Sequence, residues 1–389
     1  MTSTIDVLTT RSIDLLSKLV TFNSVSHDSN LPIIRFIEDY LTLHHVPYER
    51  IPSPDGQKTN LLAHIGAEAP GGILLSGHTD VVPITGQIWD TDPFSLTEKN
   101  GKLYGRGSCD MKGFIAVCLA MLPEFVKAQL PYPLYFAFSY DEEIGCLGVP
   151  DMAKRIQSRP MRPDFAIIGE PTGMQVVTAH KGVFSFETTV YGLEGHSSQP
   201  QRGVNAVHYG CRLVNYLLML GEQLQQSGMK DSRFDPSYST LHVGIMEGGT
   251  ARNIIPKECY IHWEIRPLPG DDVQAIIQRI DAHCRMLEAE MRNIHPEAAI
   301  VSKPMSRMAG VTLPAHASAA CHRVKHYAIT NEEHAVSFGT EAGVFNEHGI
   351  PSIICGPGSI EQAHKPNEFI DINEIKKCVE FMIRLMDDF

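Results

Sequence analysis

The run Leu74-Leu-Ser-Gly-His-Thr-Asp80 constrains this chain most: an apolar strand passes without a break into a His and an Asp two residues apart. Two later apolar runs end in the same way. Residues 134–139 lead to the adjacent acids Glu142 and Glu143, and residues 165–168 lead to Glu170. Between the first and second runs lies a glycine-rich turn, Gly105-Arg-Gly-Ser-Cys-Asp-Met-Lys-Gly113, which presents Asp110 just before an apolar helical stretch over 113–127. Strands that alternate with helices predict an α/β sheet with a substantial parallel part. In open sheets of that kind, ligands gather beyond the carboxyl ends of the strands.

Helical periodicity covers 10–22 and 31–44, with Ile33, Ile34, Ile37, Tyr40 and Leu41 on one face of the second helix. A strand at 60–65 precedes the one at 73–76. The pattern changes near His180. Residues 183–191 alternate apolar and polar, as an antiparallel strand would, and a long helix follows over 204–226. Strands at 239–246 and 258–265, a helix at 271–291 and a short strand at 299–302 complete a βαββαβ order. The earlier pattern then resumes, with a strand at 352–355 and a closing helix at 372–386. A length of 389 residues suffices for two cores. The expected organisation is one α/β domain with a mixed sheet, made of 1–180 plus 305–389, carrying a βαββαβ domain inserted at 181–304.

The net charge of −12 excludes general affinity for nucleic acid or an anionic membrane surface. An anionic substrate remains open, because a metal inverts the local field. No apolar run approaches the length of a membrane span. The N-terminal residues 1–10 carry no basic segment and no long apolar core, so no secretory leader is expected. Nine Cys, an odd number without C-x-x-C spacing, fit free thiols in a reducing cytoplasm.

Each charged residue in these motifs has an ordinary explanation when taken alone. His78 and Asp80 are compatible with a strand-end His and a helix-capping Asp. Asp110 suits a turn or an N-cap. Glu142 and Glu143 suit an acidic helix start, and His364, in the turn-rich Gly356-Pro-Gly-Ser-Ile-Glu-Gln-Ala-His-Lys-Pro-Asn-Glu368, suits a solvated loop. The set has a chemistry that the members lack. Residues i and i+2 of an extended segment share a side, so Asp80 could orient His78. Of two adjacent acids, one can ligate a metal while the other holds and deprotonates an attacking water. Mixed His and carboxylate donors suit Zn²⁺, with Mn²⁺ or Co²⁺ as substitutes. Cys109 reads as a small buried hydrophobe rather than a ligand.

Six segments together resemble the M20 metallopeptidase and deacylase family. They are Ser76-Gly-His-Thr-Asp80, Gly105-Arg-Gly-Ser-Cys-Asp-Met-Lys-Gly-Phe114, Asp141-Glu-Glu143, Gly169-Glu-Pro-Thr172, Gly195-His-Ser-Ser198 and Phe338-Gly-Thr-Glu-Ala-Gly343. The resemblance spans nearly the whole chain. It implies two divalent ions, one held by His78, Asp110 and Glu170 and the other by Asp110, Glu143 and His364, with Asp110 bridging. It implies that Glu142 is the general base and that Asp80 supports His78. It also implies that the inserted domain serves as a lid and dimerisation element in a homodimer. His196 of that domain would reach the partner's active site and stabilise the oxyanion.

Within the family the chain is most similar to the branch that removes the acetyl group from N-acetyl-L-ornithine, a step of arginine biosynthesis. Asn253, Arg266, Thr340 and Gly356, with Gly358, are the substrate-side expectations; Arg suits a carboxylate and Gly permits close approach. Other readings are hydrolysis of N-succinyl-diaminopimelate, of N-acyl amino acids in general, or of small peptides. A metal-binding sensor on the same scaffold is the non-enzyme reading, although a sensor has no need of the base Glu142.

Overall fold

The computed structural model describes residues 3–389. The chain forms two compact units: the residues to Ala179 with Val311–Ala335 and Thr340–Phe389 make the first, and His180–Gly310 with Val336–Gly339 the second.

The first unit is built on a nine-stranded mixed sheet. Its centre is parallel: strands Leu134–Ser139, Ile73–His78, Phe165–Pro171 and Ser352–Gly356 lie side by side in that order and run in one direction. Thr59–Ile65 and Tyr48–Pro52 continue the sheet antiparallel on one flank. Every residue of the four central strands is buried. Strands covered on both faces read as continuous apolar runs rather than alternating ones. Helix Lys112–Ala128 is buried around most of its circumference. It lies so close to the sheet that a Cβ at Gly169 would sit 2.0 Å from the Phe114 ring.

His78 pairs opposite Ser139 in the parallel ladder. The chain leaving Ser139 towards Glu142 therefore emerges beside His78. Glu170 lies at the same end of the next strand, so the sheet gathers these side chains along one edge.

The first helix runs Thr4–Val20, earlier than the 10–22 read from periodicity. Its start is a capping box. The Ser3 hydroxyl accepts from the Asp6 N–H at 3.1 Å, and the Asp6 carboxylate accepts from the Ser3 N–H at 3.3 Å. Met1 and Thr2, which open the segment expected to carry no leader, lie outside the described residues. Among the described residues, no helix is long and apolar enough to cross a membrane.

The second unit is a four-stranded antiparallel sheet, in the order Thr240–Gly248, Glu258–Arg266, Val183–Tyr191, Ala299–Met308. Helices Ala206–Ser227 and Val273–Arg292 bury Leu213, Leu217, Leu220, Ile276, Ile280 and Leu287 in one core with Ile261, Trp263 and Ile265 of the sheet. The last strand passes well beyond the expected 302. Pro304 lies on an edge strand where the register shifts between Pro304 and Ser306. This compact unit therefore extends to Gly310.

Candidate metal centre

His78 ends its strand with Nδ1 2.9 Å from the backbone carbonyl of Asp80. A carbonyl only accepts, so Nδ1 carries the proton and Nε2 faces the acids. Asp110 Oδ1 lies 3.0 Å from Nε2, and Glu170 Oε1 lies 3.9 Å away. Burial opposes a charge on this ring. The Asp110 hydrogen bond and the Glu142 and Glu170 carboxylates outweigh it and hold the pKa well above its ordinary value.

Asp110 turns its second oxygen to His364, whose Nε2 lies 3.3 Å from Oδ2, and Glu143 Oε2 lies 2.8 Å from the same nitrogen. The candidate donor atoms thus fall into two sets, His78–Asp110–Glu170 and Asp110–Glu143–His364, each with its atoms within 4.8 Å of one another. Asp110 belongs to both. Burial, then the Asp110 and Glu142 charges, push Glu170 far up. Burial and Asp110 push Glu143 up to about 7. Hydrogen bonds to Asp110 and Glu143 raise His364 to about 10.

Glu143 Oε1 and Glu170 Oε1 are buried without a hydrogen-bond partner among the described residues. Buried carboxylate oxygens without a donor are costly. A cation in each set would satisfy both atoms, and the nitrogen and oxygen donors suit Zn²⁺, Mn²⁺ or Co²⁺. The residues present therefore fit two divalent ions.

Glu142 stands outside both sets. Its carboxylate is buried, with the Cys146 thiol 3.5 Å away. Burial first, then Glu143 and Asp110, push its pKa well above the ordinary range, and His78 opposes them. Asp80 has two tasks. Its carbonyl holds His78. Its carboxylate accepts from the N–H groups of Glu142 at 3.1 Å and Glu143 at 3.2 Å, and from the Ser26 hydroxyl at 2.7 Å. Asp80 Oδ1 is 3.7 Å from His78 Nδ1, too far for a hydrogen bond. The support expected from the carboxylate therefore comes from the main chain. Asp141 turns the chain at φ 57° and is pinned by Lys58 at 2.6 Å.

Glu368 and Glu341 are buried parts of this centre that sequence reading passed over. Glu368 accepts from the N–H groups of Gly107, Cys109 and Asp110 at 2.9–3.0 Å and so shapes the turn that presents Asp110. Glu341 accepts from the hydroxyls of Ser76, at 2.8 Å, and Ser139, tying two parallel strands together. Only the motif around Glu341 offered a signal. Thr340 is buried, and its hydroxyl accepts from the Ala342 N–H at 3.1 Å at the start of helix Ala342–Glu347. A Cβ on Gly356 would lie 2.1 Å from the Gly169 carbonyl, and one on Gly358 2.5 Å from Cys109 Sγ.

His196, Asn253 and Arg266 belong to the second unit. His196 is exposed, and its strand pair joins Gly195–His196 to Ile254–Ile255. The Ser198 N–H donates to His196 Nδ1 at 3.1 Å. Nδ1 is therefore an acceptor, and the neutral ring carries its proton on Nε2. Asn253 is exposed, and its carbonyl accepts from the Ser197 N–H at 3.1 Å. The Arg266 guanidinium pairs with Glu264 at 2.7 Å.

Residues 74–388 match the model of peptidase family M20/M25/M40. An acetylornithine deacetylase of Proteus mirabilis is 37% identical over 385 residues, which cover 97% of this chain and 96% of that protein. An M20 family metallo-carboxypeptidase from Sulfolobus solfataricus superposes with a TM-score of 0.77 at 19% identity, over 96% of this chain and 98% of that one. A dinuclear metal binding peptidase of the M20 family from Bacillus subtilis superposes with a TM-score of 0.67 at 15% identity, over 97% of each chain.

Proposed function

The chain belongs to peptidase family M20/M25/M40 and is a hydrolase of that family, and on this premise we propose that it removes the acetyl group from N-acetyl-L-ornithine, giving L-ornithine and acetate. The observation that carries the reaction type is the pair of donor sets sharing Asp110, with Glu142 beside them and in neither. The substrate follows from full-length similarity to acetylornithine deacetylases.

We assign His78, Asp110 and Glu170 to one divalent ion and Asp110, Glu143 and His364 to the other, Zn²⁺ suiting both best. When bound, such ions polarise the amide carbonyl and make water more acidic. Glu142 holds the attacking water and takes its proton as the new C–O bond forms. Glu142 then passes that proton to the amide nitrogen as the C–N bond breaks, so the amine leaves neutral and the carboxylate is regenerated. The place of Glu142, buried beside both donor sets and in neither, suits this transfer. Asp80 keeps the Glu142–Glu143 turn and the His78 ring in place. Asn253, Arg266, Thr340 and Gly356 are the substrate-side candidates. Arg266 has to exchange Glu264 for a substrate carboxylate to act as one.

Steady-state rates of the Zn²⁺ and Co²⁺ forms on N-acetylornithine, N-acetylmethionine, N-succinyl-diaminopimelate and a dipeptide test the substrate. The highest kcat/KM is expected for N-acetylornithine; a higher value for another member replaces the assignment.

His196 is proposed as donor to the developing oxyanion, supplied by the partner in a homodimer. Its Nε2 proton is free of the Ser198 contact. Self-association through the second unit is supported by exposed Leu218, Met219, Ile245 and Met246 and by the outermost place of strand Thr240–Gly248 in its sheet. His196→Ala should lower kcat by about 10²–10³ with less change in KM. Mixing Glu142→Ala with His196→Ala under subunit exchange should restore activity, because one site of each heterodimer then has neither defect. An inactive mixture after confirmed exchange counts against action in trans. All nine cysteines are free thiols and eight are buried, which supports a cytoplasmic setting.

A further inference from the structure

We propose that Gln87 is a positioning residue for His364, and that one buried guanidinium, Arg106, holds both sides of the second ion site. The proposal rests on the reading of Asp110, Glu143 and His364 as ligands of one ion.

His364 differs from the other four ligands. Their side chains are 1–6% exposed, whereas that of His364 is 53% exposed. It sits on a loop with φ 63°, a region that β-carbon sterics disfavour. A ligand on an exposed loop loses much freedom when it binds, unless something else already fixes it.

Gln87 supplies that restraint. Its Nε2 donates to the backbone carbonyl of His364 at 2.8 Å. Its Oε1 accepts from Arg106 Nη2 at 2.6 Å and from Trp89 Nε1 at 3.2 Å. Guanidinium and indole nitrogens only donate, so the amide oxygen must face them. The amide N–H₂ is thereby aimed at His364. The Arg106 guanidinium also stacks over the Trp89 ring at 5.1 Å.

The same guanidinium reaches the other side of the site. Arg106 is 1% exposed, and its Nη1 pairs with Glu368 at 2.7 Å and contacts the Lys365 carbonyl at 3.4 Å. Glu368 in turn grips the Asp110 and Cys109 N–H groups. A buried, charge-assisted pair whose acceptors are filled is a rigid anchor. Arg106 thus fixes Asp110 through Glu368 and His364 through Gln87. Sequence alone hides this, because Gln87 and His364 are 277 positions apart.

The test is Gln87→Glu, which keeps acceptors for Arg106 and Trp89 but removes the donor to His364. Gln87→Leu removes the donor without adding charge. Gln87 is only half-buried, so both variants should fold. Co²⁺ is titrated into the chelated full-length protein, and binding is followed by calorimetry and by the ligand-field absorption of each added ion. Both variants should bind the second ion about 10–100-fold more weakly, the usual effect of losing an outer hydrogen-bond partner. The first ion should bind as in the wild type, and the absorption of the second should change. His364→Ala is the control. If it retains two ions at wild-type affinity, the ligand reading fails and this proposal with it. If it loses the second ion while both Gln87 variants bind two ions like the wild type, the positioning role is overturned and the ligand reading stands. Equal weakening of both ions also overturns it, since that would mark a general structural loss.

Discussion

Glu142→Ala is expected to lower kcat by about 10²–10⁴ while the protein still binds two divalent ions per chain. The expectation follows from where Glu142 lies. Among the described residues, the two donor sets account for His78, Asp110, Glu143, Glu170 and His364, and neither needs Glu142. Its backbone N–H is held by Asp80, so truncating the side chain leaves the turn intact. Its carboxylate is buried beside other acids and binds a proton more readily than an exposed Glu. Metal content by elemental analysis and turnover under saturating substrate separate the two consequences. Wild-type kcat removes Glu142 from the mechanism; loss of one ion moves it into the ligand set.

Chelation is expected to abolish turnover, with Zn²⁺ or Co²⁺ restoring it, and to lower stability. Each ion present at 100 times its dissociation constant contributes about 2.7 kcal/mol to the folded state. The chelated chain should also show a distinctive pH response. Glu143 is raised from 4.5 to about 7, so the folded chain keeps a proton that the unfolded chain has released in that window. His364 is raised from 6.5 to about 10 and does the same in the higher window. In both cases the folded state binds more protons, so stability falls as pH rises. Bound ions replace those protons and should flatten the slope. Melting temperatures of chelated and Zn²⁺-loaded protein between about pH 5 and 9 check this. Full activity after verified metal removal would sink the metal reading. A chelated protein that gains stability towards high pH would contradict the electrostatics of the cluster.

The parallel centre of the sheet was legible in sequence because its strands are continuous apolar runs of the right length, each followed by a chemically distinctive residue. His78, Glu142, Glu143 and Glu170 stood out for that reason, and Asp110 through the glycine-rich turn that presents it ahead of a helix. The antiparallel strands and two helices of the second unit were legible through the change of periodicity near His180, but the full length of strand Ala299–Met308 was not, since only its partner strand shows the register shift between Pro304 and Ser306 that lets it run past 302. The capping box at Ser3 and Asp6 was written in the sequence and passed over in favour of the apolar period. Glu368, Glu341 and Gln87 could not be found locally. What makes each matter is a partner roughly 200–280 positions away; the motif around Glu341 marks its neighbourhood but not its partners, and nothing beside Glu368 or Gln87 distinguishes a buried clamp from a surface acid or amide.

The two tasks of Asp80 differ in what mutation can reach. The partner of His78 is a peptide carbonyl, which every amino acid possesses, so the imidazole tautomer is insured against substitution at position 80 as long as the backbone keeps its course. The grip on the Glu142–Glu143 turn is carried by the carboxylate and has no such insurance. Sequence drift at this one position would therefore loosen the acid proposed to move the proton while sparing the orientation of the imidazole, and a lineage losing the proposed chemistry here would keep the His78 end of the candidate metal site for longer than Glu142.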